Sequence, residues 1–398
     1  MEMEQVPPTV ARGQQAAPPI YSAVRRGETR GYSPADRSPG QGRQEHLRET
    51  PMHVETWGRR ALWAAVAAAT AVFLISCGGD DNNPTPPPTF STTLVVGASL
   101  SDTGNACAAS AAACPPAPPY AAGRFSNGPL WVEAVAAAYG GSANPSLRGG
   151  SNFAYAGART GSVQAALNAA GLTMVTVSAA TGTAPSVPGI NAALGTTPSQ
   201  IDQLLARQNF AIAPQTLVVV DASTFGNNIS DALTLSVAFP MQAAQIPTAV
   251  VTGGVTDIVT VINRLYAAGA RNILVVNAPN VGATPRVQAL GMTAATGATQ
   301  LSAGFNGALA QQVTTLRAVL TGANLVLFDL FALEGQIKAG AAPGGFTLGN
   351  LTAACFTTVP AVAVCATPQT YFYWDSFHPT AALGAYVATR VIAALPTP

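Results

Sequence analysis

The chain has 398 residues, of which 9% are charged and 48% hydrophobic, and its formal net charge is +1. That balance excludes a basic stripe for nucleic acid and an acidic sink for cations, so neither kind of partner is expected. From Cys77 onward there are 10 Lys+Arg against 11 Asp+Glu, a net charge of −1, and charge steering is not expected to bring a partner in.

Residues 1–51 carry 7 Lys+Arg against 6 Asp+Glu, are rich in Pro, Gly and Gln, and lack apolar periodicity; they are expected to be disordered or untranslated. Met52 is the better start. After it, Trp57-Gly58-Arg59-Arg60 makes a basic n-region and Ala61 to Ser76 an uncharged apolar run, which together read as a signal peptide over 52–76. A transmembrane helix is the alternative, but 16 residues rise only about 24 Å against a hydrocarbon core of about 30 Å. Leu74-Ile75-Ser76-Cys77 resembles the lipobox of bacterial lipoproteins. That resemblance implies export, a lipid anchor on Cys77 and, with Gly78 in the second position, the outer membrane. Residues 77–91 then form a Pro-rich tether, and 92–398 a single domain with no central linker to divide it.

Within that domain, Leu94 to Val96 is an apolar β-type run broken by Gly97, and it delivers Ser99 at a strand's carboxyl end. Asn105 to Tyr120, Ala/Pro-rich with two cysteines, reads as a loop. Ser126-Asn127-Gly128-Pro129 starts a helix that Gly140-Gly141 stops, and Thr197-Pro198-Ser199-Gln200 starts another. Residues 161–196, Ala/Thr/Gly-rich and uncharged, are either a substrate-facing flap or a solvated insertion. Leu217 to Val220 is a second buried strand, with Asn227 just past its end. A helix over Val255 to Ala268, a strand over Asn272 to Asn277, a helix over Leu301 to Leu320 and a strand over Leu325 to Phe328 follow. Alternating strands and helices with short connections predict an α/β fold: a three-layer α/β/α sandwich around a parallel sheet, with the strand ends on one edge.

A serine at such an edge is a candidate nucleophile, but it needs a base. Of three histidines, His46 and His53 lie ahead of Cys77, where the export signal ends, which leaves His378, in Trp374-Asp375-Ser376-Phe377-His378-Pro379-Thr380. Asp375, three residues earlier, can share a local turn with it. Ser101 rivals Ser99 on spacing alone. Cys107, Cys114, Cys355 and Cys365 allow three pairings, and nearest-neighbour bridges are the simplest choice in an exported protein. Zinc is the alternative, but neither pair has the ligand gap or the second histidine that a tetrahedral site needs.

Gly97-Ala98-Ser99-Leu100-Ser101-Asp102-Thr103-Gly104-Asn105 near the start and Asp375 to Thr380 near the end resemble the first and last blocks of the SGNH, or GDSL, hydrolases. Gly123 to Gly128 with Trp131, Ser151 to Ala158, and Phe225-Gly226-Asn227-Asn228 are similar to the intervening blocks, in the same order. The resemblance implies a flavodoxin-like fold and a Ser99-His378-Asp375 triad. It also implies an oxyanion hole from the Ser99 N–H, Gly157 and the Asn227 amide, with no metal or organic cofactor. Ala98 and Asn228 depart from the pattern, each standing where the family usually has aspartate. The implied activity is carboxylic ester hydrolysis by an esterase or lipase. A polysaccharide O-acetylesterase or phospholipase on the same site, and a catalytically silent surface lipoprotein that binds glycans or lipids, remain alternatives.

Overall fold

The computed structural model describes residues 90–161, 187–193 and 197–395. The expected signal peptide, Cys77, the expected tether up to residue 89 and most of the expected flap lie outside these residues. Four parallel strands, β1 (Thr92–Val96), β2 (Thr216–Asp221), β3 (Asn272–Val276) and β4 (Asn324–Phe328), form a sheet in that spatial order. β2 and β3 are buried along their whole length, as expected of parallel strands covered on both faces.

Beyond β1 the segment around Asn152 adds a further parallel rung. Val95 N–H donates to the Ser151 carbonyl at 3.1 Å, and Phe153 N–H to the Val95 carbonyl at 2.7 Å. The chain therefore moves outward from β1 to this edge and returns across it to β2. The crevice between the ends of β1 and β2 is the point where the winding reverses, which is where open α/β sheets bind ligands.

Alternation of side chains along the strands feeds two cores. Leu94, Val96, Val218, Val220, Ile273 and Val275 pack on one face, under helices Gln200–Arg207, Phe225–Ala238, Ile246–Ala267 and Met292–Val319. Val95, Leu217, Val219, Leu274 and Val276 pack on the other, under Trp131–Ala138, Leu330–Lys338 and Ala381–Ala394. Each fully buried Val, Leu or Ile contributes about 1.5–3 kcal/mol over leaving it in water. The architecture is the expected three-layer sandwich.

Several boundaries differ from the sequence reading. The Asn105 to Tyr120 loop opens with a short helix, Asn105–Ala109, because the Asp102 carboxylate accepts the Gly104, Asn105 and Ala106 N–H groups of its first turn. The helix expected at Ser126 begins at Trp131, since the Asn127 side chain accepts the Ala381 N–H and so caps the last helix instead. Helix Met292–Val319 starts well before Leu301. Its first turns are small residues that press on the 281–283 turn, where a Cβ on Gly282 would lie 2.1 Å from the Ala295 carbonyl oxygen. The Cys107–Cys114 and Cys355–Cys365 disulfides are both formed, as nearest-neighbour pairing predicts.

Candidate active site

The turn after β1 is tied from below. Gly97 donates its N–H to Gln200 Oε1 at 2.8 Å and accepts from Gln200 Nε2 at 2.9 Å. A Cβ at this position would come within 2.8 Å of the Asp221 Cβ, so only glycine lets β1 approach β2 this closely. The Ala98 carbonyl then accepts the Ser101 and Asp102 N–H groups, at 3.0 and 2.8 Å, which closes the turn and sends its two serines apart. Ser101 is wholly buried and donates to Asp221 Oδ2 at 2.6 Å, so the rival nucleophile is engaged in the core. Burial pushes the Asp221 carboxyl up, against the hydrogen bonds it accepts from Ser101 and Ser223. Ser99 faces the other way, toward His378.

His378 arrives on the loop after a short strand, Tyr371–Tyr373, with Trp374 N–H donating to the His378 carbonyl at 2.8 Å. Asp375 Oδ1 accepts the Phe377 and His378 N–H groups, both at 2.7 Å, so the two residues share one local turn as their spacing predicts. Asp375 Oδ2 lies 2.7 Å from His378 Nδ1 and accepts the Tyr120 hydroxyl at 2.7 Å. His378 Nε2 lies 2.9 Å from Ser99 Oγ.

Burial alone would raise the Asp375 carboxyl, but the imidazole and the hydrogen bonds outweigh it and hold its pKa down at about 2. An ionised carboxylate only accepts hydrogen bonds. The proton shared with it therefore sits on Nδ1, and in the neutral imidazole Nε2 then turns a lone pair to the Ser99 hydroxyl. Burial, then the charge of Asp375, pushes the Tyr120 phenol up, which keeps it a donor.

The residues expected to hold an oxyanion are less tightly gathered. Asn227 stands in the first turn of helix Phe225–Ala238 and lines the same cavity as Ser99. One hydrogen of its amide goes to the Ala158 carbonyl at 2.7 Å, and among the described residues the other has no acceptor. Gly157 adopts φ +80° in the adjoining turn and is not part of the cavity wall. Arg159 bonds both the Gly157 carbonyl, at 2.6 Å, and Asp231 on the Asn227 helix, at 2.8 Å, which ties turn and helix together. Among the described residues, the Ser99 and Gly157 N–H groups donate to nothing.

Both departures from the family pattern have a structural counterpart. Asn228 uses its amide oxygen to accept the Thr160 N–H at 3.1 Å, a task a carboxylate would also perform. Ala98 packs its methyl against Tyr155 and Ala158.

Three supporting groups went unassigned in the sequence reading. Asp102 accepts the Ala156 N–H at 2.8 Å in addition to its three bonds to the Asn105–Ala109 helix, joining the Ser99 turn to the Gly157 segment. Asn152 donates to the Ser101 carbonyl at 2.6 Å. Tyr120 has no local signature at all, because it meets Asp375 across 255 positions of chain. Asp102 and Asn152 lay inside the quoted blocks, and their polar side chains beside apolar runs were the available signal.

From Ser99 and Asn227 a cavity of about 60 Å³ runs past Val276 and Val281 to Leu330, Glu334 and Phe372. Its wall is mostly apolar.

The family model described as GDSL-like lipase/acylhydrolase matches residues 94–391. Among similar proteins are three from Arabidopsis thaliana. The GDSL esterase/lipase EXL3 is 26% identical over 188 residues, 44% of this chain and 50% of its own length. The GDSL esterase/lipase At1g29660 is 30% identical over 141 residues, 32% of this chain and 38% of its own. The GDSL esterase/lipase APG is 26% identical over 146 residues, 33% of this chain and 41% of its own. The chain thus spans half or less of the length of these relatives. The match over 94–391 covers both the Ser99 turn and the His378 loop, and the chain belongs to the GDSL-like lipase/acylhydrolase family.

Proposed function

We propose that the protein is a serine esterase that hydrolyses carboxylic esters through Ser99, His378 and Asp375. The reading rests on one observation, the unbroken relay from Asp375 Oδ2 to His378 Nδ1 at 2.7 Å and from His378 Nε2 to Ser99 Oγ at 2.9 Å. In this scheme Ser99 Oγ attacks the ester carbonyl as its proton passes to Nε2, and Asp375 stabilises the imidazolium. The tetrahedral oxyanion is held by the Ser99 and Gly157 N–H groups and the spare Asn227 hydrogen; each such donor lowers the barrier by on the order of 3 kcal/mol. Nε2–H then protonates the leaving alcohol. Water repeats the sequence on the acyl-enzyme, returning Ser99 and releasing the acid.

A fluorophosphonate probe should label Ser99 alone, and a nitrophenyl ester should be turned over by wild-type protein but not by folded Ser99→Ala. Labelling at Ser101, or full turnover by Ser99→Ala, would overturn the scheme.

The same proposal takes the enzyme to be exported and held on a membrane by a lipid on Cys77. The two disulfides support an oxidising compartment. Cys77→Ser should release the protein from the membrane fraction; identical partitioning with and without Cys77 would refute the anchor.

A further inference from the structure

The cavity behind Ser99 carries a carboxyl, besides that of Asp221, that the ester chemistry does not use. Glu334, on helix Leu330–Lys338, lines it and is only 8% exposed. One carboxyl oxygen, Oε2, accepts the Asn280 N–H at 2.9 Å. The other makes no hydrogen bond among the described residues. A carboxyl with an unused oxygen, on a mostly apolar wall that includes Leu330, Val276 and Phe372, is costly in an acyl pocket meant only for hydrocarbon.

The surroundings say which partner suits it. Lys338, one turn along the helix, already supplies positive charge: its Nζ donates to the Tyr373 hydroxyl at 2.8 Å and lies 4.6 Å from the Phe372 ring centre. A second cation is therefore not called for. Burial pushes the Glu334 carboxyl up to about 7, against the Asn280 bond and the Lys338 charge, so near neutrality it both accepts and donates. A neutral hydroxyl, itself donor and acceptor, matches either form. The cavity volume of about 60 Å³ holds a chain of about four to six heavy atoms, taking each as the size of a water.

We propose that Glu334 is a specificity-determining residue that selects esters whose short acyl chain ends in a hydroxyl group. This rests on the esterase reading for the orientation of the chain, with the reacting carbonyl at Ser99 and the hydroxyl at Glu334. No covalent step is added.

The test compares ethyl 5-hydroxypentanoate and ethyl 6-hydroxyhexanoate with ethyl pentanoate and ethyl hexanoate. Binding to the turnover-free Ser99→Ala protein is measured by calorimetry, and kcat/KM on the wild type by alkali titration. Ser99→Ala should bind at least one hydroxy ester about tenfold or more tightly than its alkyl counterpart, and the double variant Ser99→Ala/Glu334→Leu should lose or invert that preference. Glu334→Met serves where the leucine variant does not fold. Equal affinity for both ester types in Ser99→Ala, or a preference that survives loss of the carboxyl, overturns the proposal. A preference seen in binding with no turnover by wild-type protein would instead overturn the esterase reading and leave the hydroxyl subsite standing.

Discussion

The Ser99 turn and the His378 loop meet at a 2.9 Å contact, yet they are held in unlike ways. The turn is anchored from beneath by wholly buried polar groups: Gln200 on Gly97, Asp221 on Ser101, and Asp102 on four backbone N–H groups. The loop is held from its flanks. Arg286 N–H donates to the Ser376 carbonyl and Ser126 to the Pro379 carbonyl, the Phe125 ring lies 5.3 Å from the imidazole, and Tyr120 reaches Asp375. Trp374 stacks on Phe356, beside the disulfide at Cys355. Ser99 is thus positioned by buried polar groups beneath its turn, whereas His378 is held by contacts along the flanks of its loop. Damage to the turn should unfold the protein, and damage to the loop should mainly slow it.

The largest effect expected is on rate. His378→Ala should lower kcat/KM for a short ester by about 10⁴-fold or more, with a stability loss of no more than about 2 kcal/mol, since Asp375 loses its imidazole partner. Ser99→Ala/His378→Ala should be no slower than either single variant, because the pair acts as a unit; additive losses would mean that the two do not work together.

Asp102→Ala probes the opposite anchor. It strands four N–H groups, three of them on buried residues, and should cost about 3 kcal/mol or more of stability in urea unfolding, with activity lost alongside. A stable but inactive Asp102→Ala would break the contrast between core anchoring and docking.

Two carboxyls at the site should respond to pH with opposite signs. Glu334 is raised from 4.5 to about 7, so its burial costs little below pH 4.5 and about 3 kcal/mol above 7. Glu334→Gln should therefore gain stability relative to wild type as pH climbs through that window. Asp375 is lowered from 3.8 to about 2, so it contributes about 2 kcal/mol above pH 3.8 that disappears as pH falls through 2. The deficit of Asp375→Asn relative to wild type should accordingly shrink on acidification. Urea unfolding of the three proteins from pH 2 to 8 separates the two trends, and parallel curves would refute both assignments.

The smallest effect expected is that of Tyr120→Phe. It removes one hydrogen bond to an ionised carboxylate but leaves Asp375 with its two backbone N–H groups, so turnover should fall about tenfold with stability changed by about 1 kcal/mol. A stability loss as large as that of Asp102→Ala would show that the loop is part of the core after all.

Much of this arrangement was legible in the sequence, and for local reasons. Apolar runs such as Leu217 to Val220 specify buried strands wherever they fall, and the helix start read at Thr197 to Gln200 is where Ser199 caps its helix. Asp375 and His378 lie three residues apart, within reach of one turn, and the close cysteine pairs had short loops to close. What sequence could not decide were the encounters between distant segments. Whether Ser99 or Ser101 would face the imidazole depended on the turn that buries Ser101 against Asp221. Asn127 lost its expected helix start because a cap 254 positions away needed an acceptor. Tyr120 and Glu334 acquired their roles only when packing removed water from around a carboxylate. Local hydrogen bonds and hydrophobic periodicity are written residue by residue; desolvation and long-range pairing exist only once the layers close.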